Sequence, residues 1–214
     1  NSSKKIFKEN NIENFVKKCK IINGSIFVPI LSKTKMLMIS HRGYGAEGNT
    51  KAALQNARTF GFDVLEVDLH KTADKEIVLH HDLFLGPYNI EETNLDVLRE
   101  KDQYLLTLGE FFQYFPPEQN TIYLDLKGSI ELAQLLVDYV NAHKICTTDI
   151  IVASFNEDHI QIIKNAGLSW KIGFITNNQF DDKRYEDLLV SVDILVLQWN
   201  MLSHKVLIYF LAII

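Results

Sequence analysis

Largely apolar runs of five to seven residues recur along the chain and alternate with segments whose apolar residues are spaced three and four apart. The apolar runs predict strands at 36–40, 63–69, 121–126, 150–155, 170–175 and 194–199. The segments between them predict helices at 50–61, 108–114, 130–143, 159–166 and 185–190. Strands that are apolar on both faces are typical of a parallel sheet covered by helices. The pattern therefore predicts an α/β fold built on a parallel sheet.

The two ends and the middle of the chain carry weaker patterns. The spacing of apolar residues predicts a polar amphipathic helix at 1–20, a short strand or arm at 25–31 and a helix at 205–211. Residues 83–105 predict irregular structure with a short helix at 95–100. The helix that ends at Gly61 is expected to be capped by Asn49 or Thr50, since both residue types accept from backbone N–H groups at helix starts.

The composition is that of an ordinary globular protein. Of 214 residues, 47% are hydrophobic and 23% are charged, which suits one large domain or two small ones. The formal net charge is −5 and no basic stripe is visible, so we expect no nucleic-acid partner. The lysines in the first 20 residues predict the solvated face of a helix, with contact to an anionic surface as the alternative.

Cysteine content and hydropathy bear on the compartment. Cys19 and Cys146 form no disulfide framework, which favours a reducing compartment. We therefore expect a cytoplasmic protein, with a periplasmic or secreted location as the alternative. The longest apolar tail, 206–214, is about half the roughly 18 residues of a membrane span, so we expect no transmembrane segment.

Two acidic residues interrupt the second predicted strand. Glu66 and Asp68 are two positions apart, so both side chains project from one face of the strand, while Leu65, Val67 and Leu69 face the opposite way, towards helices. Two carboxylates this close in an apolar sheet repel each other, and a divalent cation removes the conflict. Oxygen ligands without cysteine indicate Mg²⁺ or Ca²⁺. The alternative is a pair of rim carboxylates bound to Lys or Arg.

Asp125 and Lys127 repeat the same spacing at the end of the next parallel strand. Asp125 is a candidate third metal ligand, and Lys127 is a candidate anion-binding group. A simple surface ion pair between the two is the alternative interpretation.

Basic side chains end the first predicted strand and a further extended segment that the pattern predicts at 76–81. His41 and Arg42 follow the first strand; Arg binds phosphate with a planar fork, and His moves protons near neutral pH. His80 and His81 are adjacent, so only one of them faces the site on an extended chain, and Asp82 can orient it. Histidines, an arginine, a lysine and carboxylates at neighbouring strand ends fit metal-assisted attack on a phosphodiester.

The order of these motifs resembles the glycerophosphodiester phosphodiesterase (GDPD) family. The resemblance covers about residues 36–200 and rests on five ordered motifs: His41-Arg42-Gly43, Asn49-Thr50, Glu66-Val67-Asp68, Thr72-Ala73-Asp74 continuing to His81-Asp82, and Asp125-Leu126-Lys127. His-Arg-Gly alone would be weak, whereas the ordered set is specific.

The resemblance implies a TIM-type (β/α)8 barrel that cleaves glycerophosphodiesters to sn-glycerol 3-phosphate and an alcohol. It implies Mg²⁺ or Ca²⁺ as cofactor and a small-molecule glycerophosphodiester as substrate. The roles it implies are an acid/base pair of His41 and His81, metal ligands Glu66, Asp68 and Asp125, and phosphate ligands Arg42 and Lys127. His81 takes the role rather than His80 because it directly precedes Asp82.

The chain departs from the family pattern in three places. Glu47-Gly48-Asn49-Thr50 stands where Pro-Glu-Asn-Thr is usual, and Asp125 stands where Glu is usual. About six of eight barrel strands are recognisable, so we expect a C-terminally incomplete barrel at 36–214, preceded by a helix/strand extension at 1–35. A lysophospholipase D-like lipid phosphodiesterase and a non-catalytic phosphodiester-binding barrel are the alternatives. The oligomeric state is left open.

Overall fold

A computed structural model describes residues 20–22, 25–27 and 37–197 of the chain. Residues 20–22 and 25–27 form an antiparallel pair, β1 (Lys20–Ile22) with β2 (Ser25–Phe27), which belongs to a unit of its own. The second unit is Leu37–Leu197. The predicted helices at 1–20 and 205–211 lie outside the described residues, and the predicted strand at 25–31 is described only at Ser25–Phe27.

Strands and helices alternate through the second unit. The strands are β3 (Ile39–Ser40), β4 (Val64–Lys71), β5 (Ile77–Leu79), β6 (Phe84–Leu85), β7 (Tyr88–Asn89), β8 (Thr121–Leu126), β9 (Ile150–Ser154), β10 (Lys171–Thr176) and β11 (Ile194–Leu197). The helices are α1 (Lys51–Phe60), α2 (Leu95–Lys101), α3 (Leu108–Tyr114), α4 (Glu131–His143), α5 (Glu157–Asn165) and α6 (Asp182–Ser191). None of the helices in the described part has the length and hydrophobicity that a bilayer span needs.

One curled sheet organises this unit. Its strand order is β11-β10-β9-β8-β4-β3, every neighbouring pair on this path is parallel, and β5 adds antiparallel to β4. Six parallel strands in chain order, joined by segments that carry helices, form the half-barrel of a TIM-type fold within the described residues. Within residues 37–197 the parallel strands number six, as the sequence predicts.

The two faces of the sheet carry different cores. On the helix side, Leu65, Val67 and Leu69 of β4 belong to one large buried cluster that includes Leu54 of α1 and Phe111 of α3. This confirms the orientation that the alternation along the strand predicts. On the inner face, a smaller cluster lies in the barrel interior: Val64, Tyr123, Ile151 and Ala153. The inner face therefore has an apolar base, and Glu66 and Asp68 follow Val64 on it.

Local signals account for where the helices begin and end. Thr50, not Asn49, caps α1 by accepting from the Ala53 N–H, and Gly61 ends the helix with φ of 94°. α5 begins earlier than predicted, at Glu157, because the Asn156 side chain accepts from the Asp158 N–H. The first predicted strand is shorter than expected, since of the described residues 37–40 only Ile39–Ser40 pair with β4.

The segment predicted to be irregular contains regular pieces. β6 and β7 form a two-stranded hairpin, and a 3-10 turn follows at Ile90–Glu92. The predicted short helix at 95–100 is present as α2, Leu95–Lys101. Two-residue strands are below the length at which hydrophobic periodicity can be read, so the hairpin left no pattern in the sequence.

Candidate active site

Three carboxylates meet on the inner face of the sheet. Glu66 and Asp68 project from β4, and Asp125 projects from β8, where it is paired in register with Asp68. Their exposed fractions are 6%, 1% and 6%. One oxygen of each lies within 4.8 Å of the others. The structure therefore brings together the three residues that the resemblance implies as metal ligands.

The cluster is electrostatically costly without a cation. Burial, and then the charge of Asp68, raise the pKa of Glu66 to about 8. Burial likewise raises the pKa of Asp125 to about 6, against the opposing effect of Lys127. Oδ1 of Asp68 and Oδ1 of Asp125 are buried without a hydrogen bond. Three clustered carboxylates, two of which keep a buried oxygen without a hydrogen bond, fit a hard divalent cation such as Mg²⁺ or Ca²⁺.

Two basic side chains contact the same carboxylates. Lys127 Nζ lies 2.5 Å from Asp125 Oδ2 and 3.2 Å from Asp68 Oδ1, and Arg42 Nε lies 3.0 Å from Asp68 Oδ2. Burial lowers the pKa of Lys127, but Asp125 outweighs it and the net shift is upwards. The ion pairs proposed as the alternative to a metal site are thus present as well, and they place two permanent cations beside the carboxylates.

The turn after β3 is fixed to the carboxylates by its backbone. The Arg42 N–H donates to Glu66 Oε2 over 2.7 Å, and Arg42 has φ of 60°. Gly43 follows with φ of 97°, and a Cβ there would lie 2.5 Å from the Ala53 carbonyl carbon. Only glycine fits so close to α1, which explains why the third residue of the His-Arg-Gly sequence has no side chain.

Asn49 is a site residue that sequence reasoning assigned only to helix capping. Its Nδ2 donates to Asp68 Oδ2 over 2.9 Å, and its Oδ1 accepts from the Asp68 N–H over 3.1 Å. The residue is 6% exposed and has φ of 61°, a conformation that asparagine tolerates better than most residues. The two residues of the Asn-Thr pair therefore have different roles: Thr50 caps the helix, and Asn49 holds Asp68.

The two predicted catalytic histidines lie at the mouth of the site. His41 is exposed, and the partial burial of its ring together with the charge of Arg42 lowers its pKa. The charge of Asp68 raises this pKa, whereas the charges of His81 and Lys127 lower it. The His81 side chain is 42% exposed and its Nδ1 lies 2.6 Å from Asp82 Oδ1.

Asp82 contacts the two neighbouring histidines through different groups. His80 Nδ1 donates to the Asp82 carbonyl oxygen over 2.8 Å, whereas His81 contacts the Asp82 carboxylate. The His81 hydrogen bond lowers the pKa of Asp82, so this carboxylate is charged at neutral pH. His81 is therefore the histidine with an orienting carboxylate, which is the arrangement expected from the sequence.

His70 is a second residue that the sequence did not single out. It is 2% exposed, and its Nε2 donates to the His81 carbonyl oxygen over 3.2 Å. Burial lowers its pKa, and Nδ1 is buried without a hydrogen bond. Its spacing could have identified it as a site residue, because His70 follows Asp68 by two positions and so lies on the same face of β4.

A cleft of about 150 Å³ opens beside these groups. Its lining combines site residues with residues from the loop before α3: Arg42, Asn49, His81, Asp82, Asp102 and Tyr104. The arrangement places two basic side chains, three carboxylates and two histidines close to the carboxyl ends of parallel strands, which is where TIM-barrel enzymes carry out their chemistry.

Fold and site together define a TIM-barrel protein with a polar cleft suited to a phosphorylated ligand. The model of the Glycerophosphoryl diester phosphodiesterase family matches residues 41–205. This match covers most of the sequence, and the chain belongs to that family.

Curated relatives and solved structures agree with the assignment. An uncharacterised protein of Mycoplasma genitalium is 30% identical over 172 residues, which cover 69% of this chain and 70% of that protein. A lysophospholipase D of Rattus norvegicus is 42% identical over 79 residues, 35% of this chain and 25% of that protein. A phosphodiesterase of Oleispira antarctica, solved in complex with the product sn-glycerol-3-phosphate, has a TM-score of 0.71 at 20% identity, covering 83% of this chain and 81% of that one.

A phosphodiesterase described as putative, from Galdieria sulphuraria, has a TM-score of 0.70 at 20% identity and covers 83% of this chain and 81% of that one. At this level of identity, likeness to these two structures establishes the fold alone. The family membership rests on the match to residues 41–205.

Proposed function

We propose that the protein hydrolyses glycerophosphodiesters to sn-glycerol 3-phosphate and an alcohol, with Mg²⁺ or Ca²⁺ held by Glu66, Asp68 and Asp125. The observation that carries this proposal is the convergence of these three buried carboxylates with Arg42 and Lys127, both of which contact Asp68. Carboxylates beside two basic side chains suit a metal ion that also binds an anionic substrate. The product bound to the Oleispira antarctica phosphodiesterase supports the same class of substrate.

In this proposal the phosphodiester lies between Arg42 and Lys127, whose charges neutralise its two non-bridging oxygens. The bound cation supplies further Lewis-acid stabilisation of charge on the phosphoryl group. Lys127 keeps its proton because Asp125 raises its pKa, so it acts as a fixed positive charge. Arg42 is held by its own backbone N–H on Glu66, which aligns its guanidinium with the carboxylates.

His41 and His81 exchange the protons. One ring nitrogen accepts a proton from the attacking water as its oxygen forms the new bond to phosphorus, and the other ring donates a proton to the oxygen of the departing alcohol as its P–O bond breaks. Asp82 orients His81 through Nδ1, which leaves Nε2 to face the reacting groups. His70 holds the His81 backbone, and this fixes the ring relative to the barrel.

The test is hydrolysis of glycerophosphocholine, followed by enzymatic assay of sn-glycerol 3-phosphate. We expect turnover with Mg²⁺ or Ca²⁺, loss of turnover with excess chelator, and a fall of at least about 100-fold for His41→Ala or His81→Ala. His143→Ala is the matched control, because His143 is an exposed histidine on α4. Metal-independent turnover, or full activity of His41→Ala, would contradict the proposal.

A lysophospholipase D-like activity is the second candidate, and two observations favour it. The Rattus norvegicus relative bears that name. Apolar side chains also stand exposed in the region between the His81-Asp82 motif and α3: Phe84 at 54%, Tyr88 at 37% and Tyr104 at 70%. Comparison of long-chain lysophosphatidylcholine with glycerophosphocholine decides between them, since only an acyl chain gains from these contacts. Binding of both ligands without product under any divalent metal would indicate the non-catalytic alternative.

A further inference from the structure

The Ser129 peptide backbone is held on both sides by side chains that sequence reasoning did not assign. The Ser129 N–H donates to Glu91 Oε1 over 2.7 Å, and His159 Nε2 donates to the Ser129 carbonyl oxygen over 2.8 Å. Glu91 lies on the 3-10 turn Ile90–Glu92, and His159 lies on α5. Side chains from two separate elements therefore fix the position and the orientation of one residue's backbone.

The surroundings of His159 fix its ring. A carbonyl oxygen can only accept, so Nε2 carries the hydrogen of the contact with Ser129. The Ser154 hydroxyl lies 2.9 Å from Nδ1, and the Asn156 N–H donates to the same hydroxyl oxygen over 3.0 Å. His159 is 1% exposed. The ring is thus held between the end of β9 and the Ser129 carbonyl.

Ser129 closes the turn that carries Lys127. The Lys127 N–H donates to the Leu69 carbonyl oxygen over 3.0 Å, which fixes the turn on the β4 side. Gly128 has φ of 68°, and a Cβ there would lie 2.0 Å from Glu91 Oε1. The Glu91 carboxylate therefore packs directly on the turn, and it reaches Ser129 only because residue 128 has no side chain.

We propose that Glu91 and His159 are positioning residues that hold the Ser129 backbone and so keep Lys127 Nζ against Asp125 and Asp68. Lysine has a long flexible stem, and its ammonium reaches both carboxylates reproducibly only when the backbone below it is fixed. The expected effect on hydrolysis rests on the function proposed above, in which Lys127 binds the phosphodiester. The role of Glu91 and His159 in holding the Ser129 backbone does not rest on that function.

The first test needs no turnover and measures amide hydrogen exchange at Ser129 and Lys127. We expect Glu91→Ala to speed exchange at Ser129 at least tenfold, while Glu91→Gln keeps an acceptor oxygen and stays within about twofold of wild type. Glu92→Ala is the matched control, because Glu92 is an exposed glutamate on the same turn. Unchanged exchange in Glu91→Ala overturns the proposal.

The second test is a double-mutant cycle on glycerophosphocholine hydrolysis. Glu91→Ala and His159→Leu are each expected to lower kcat/KM about tenfold, mainly through KM, whereas Glu91→Gln retains wild-type values. In a Lys127→Ala background, Glu91→Ala is expected to cost less than twofold, because the group it positions is gone. Equal losses in both backgrounds overturn the proposal, since Glu91 would then act through some other group.

Measurements of folding distinguish a variant that unfolds from one that loses only function. Circular dichroism and thermal unfolding are recorded for each variant, and His159→Gln, which keeps an amide donor, replaces His159→Leu if the latter is unfolded. A wild-type protein without turnover on any glycerophosphodiester would remove the proposed function. The exchange at Ser129 then decides the positioning role by itself.

Discussion

Asn49 and Asp68 are joined by two hydrogen bonds that run in opposite directions. The asparagine amide donates to the Asp68 carboxylate, and the asparagine carbonyl oxygen accepts from the Asp68 backbone N–H. Arg42 approaches the same carboxylate oxygen with its Nε at 3.0 Å. The orientation of the most deeply buried acidic residue of the site is therefore set by the His-Arg-Gly turn and by Asn49, which precedes the Thr50 cap of α1.

We expect Asn49→Gly to lower both stability and turnover. Glycine accepts the positive φ, so this variant removes only the side chain and leaves Asp68 with an unpaired buried N–H. The free energy of unfolding should fall by about 1–3 kcal/mol, as for other buried groups that lose a partner. Urea denaturation measures it, with Asn56→Gly on an exposed helix position as a control for helix propensity alone.

Asn49→Ala should be worse than Asn49→Gly, because alanine adds backbone strain at φ of 61°. If Asn49→Gly unfolds at the wild-type urea concentration, the pair of hydrogen bonds contributes nothing and our account of Asp68 is wrong.

Removing one negative ligand should weaken metal binding strongly. We expect Asp125→Asn to raise the Kd for Mg²⁺ or Ca²⁺ on the order of 100-fold, since ligand charge is a main determinant of affinity for hard cations. Asp125→Glu keeps the charge and should bind within about tenfold of wild type. Isothermal titration calorimetry measures both, and Asp158→Asn on the exposed start of α5 is the control. Equal affinities for Asp125→Asn and wild type would place the ion elsewhere.

The sequence predicted the carboxylates and the strands that carry them, but it could not predict how they are held. Glu66 and Asp68 are visible because a period of two is a local property of a strand, and Asp125 is visible because it ends another strand. The partners of Asn49, His70 and His159 lie 19, 11 and 30 residues away in sequence. Hydrogen bonds over such separations form only in the folded chain, so local sequence patterns do not predict them.

Metal-free protein should become less stable as the pH rises, because of Glu66. Its pKa in the folded chain is about 8, above the ordinary value of 4.5, so folding favours the protonated form. The penalty is absent below about pH 4.5, grows as the pH rises towards 8, and is complete above it, at about 1.4 kcal/mol for each pKa unit of difference.

Glu66→Gln removes this penalty, so in chelator its stability advantage over wild type should increase between pH 5 and pH 8. Urea denaturation at several pH values, with excess chelator throughout, measures the difference. Glu92→Gln, which changes an exposed glutamate, should show no such pH dependence relative to wild type. A constant difference for Glu66→Gln across this range would show that the buried carboxyl does not titrate as described.

Asp74 links the turn after β4 to the start of α2, and its loss should destabilise that helix. The Leu95 N–H donates to both carboxylate oxygens, at 3.1 and 3.3 Å, while Asn94 at the N-cap provides no side-chain hydrogen bond. The Thr72 hydroxyl donates to Asp74 Oδ1 over 2.5 Å. Asp74 therefore replaces the missing cap from a distant position, and Asp74→Asn should cost about 1 kcal/mol of unfolding free energy.

The pH dependence of this loss has a defined sign. Burial raises the pKa of Asp74, but the hydrogen bonds from Thr72 and Leu95 outweigh it, and the net shift is downwards from 3.8. A lowered pKa stabilises the fold above the ordinary value and ceases to do so as the pH falls through the folded value. The gap between wild type and Asp74→Asn should thus be full at pH 6 and shrink as the pH falls below 3.8. Glu100→Gln on α2 serves as the control, and a gap that does not shrink at all as the pH falls through this range would mean that shape rather than charge holds the helix start.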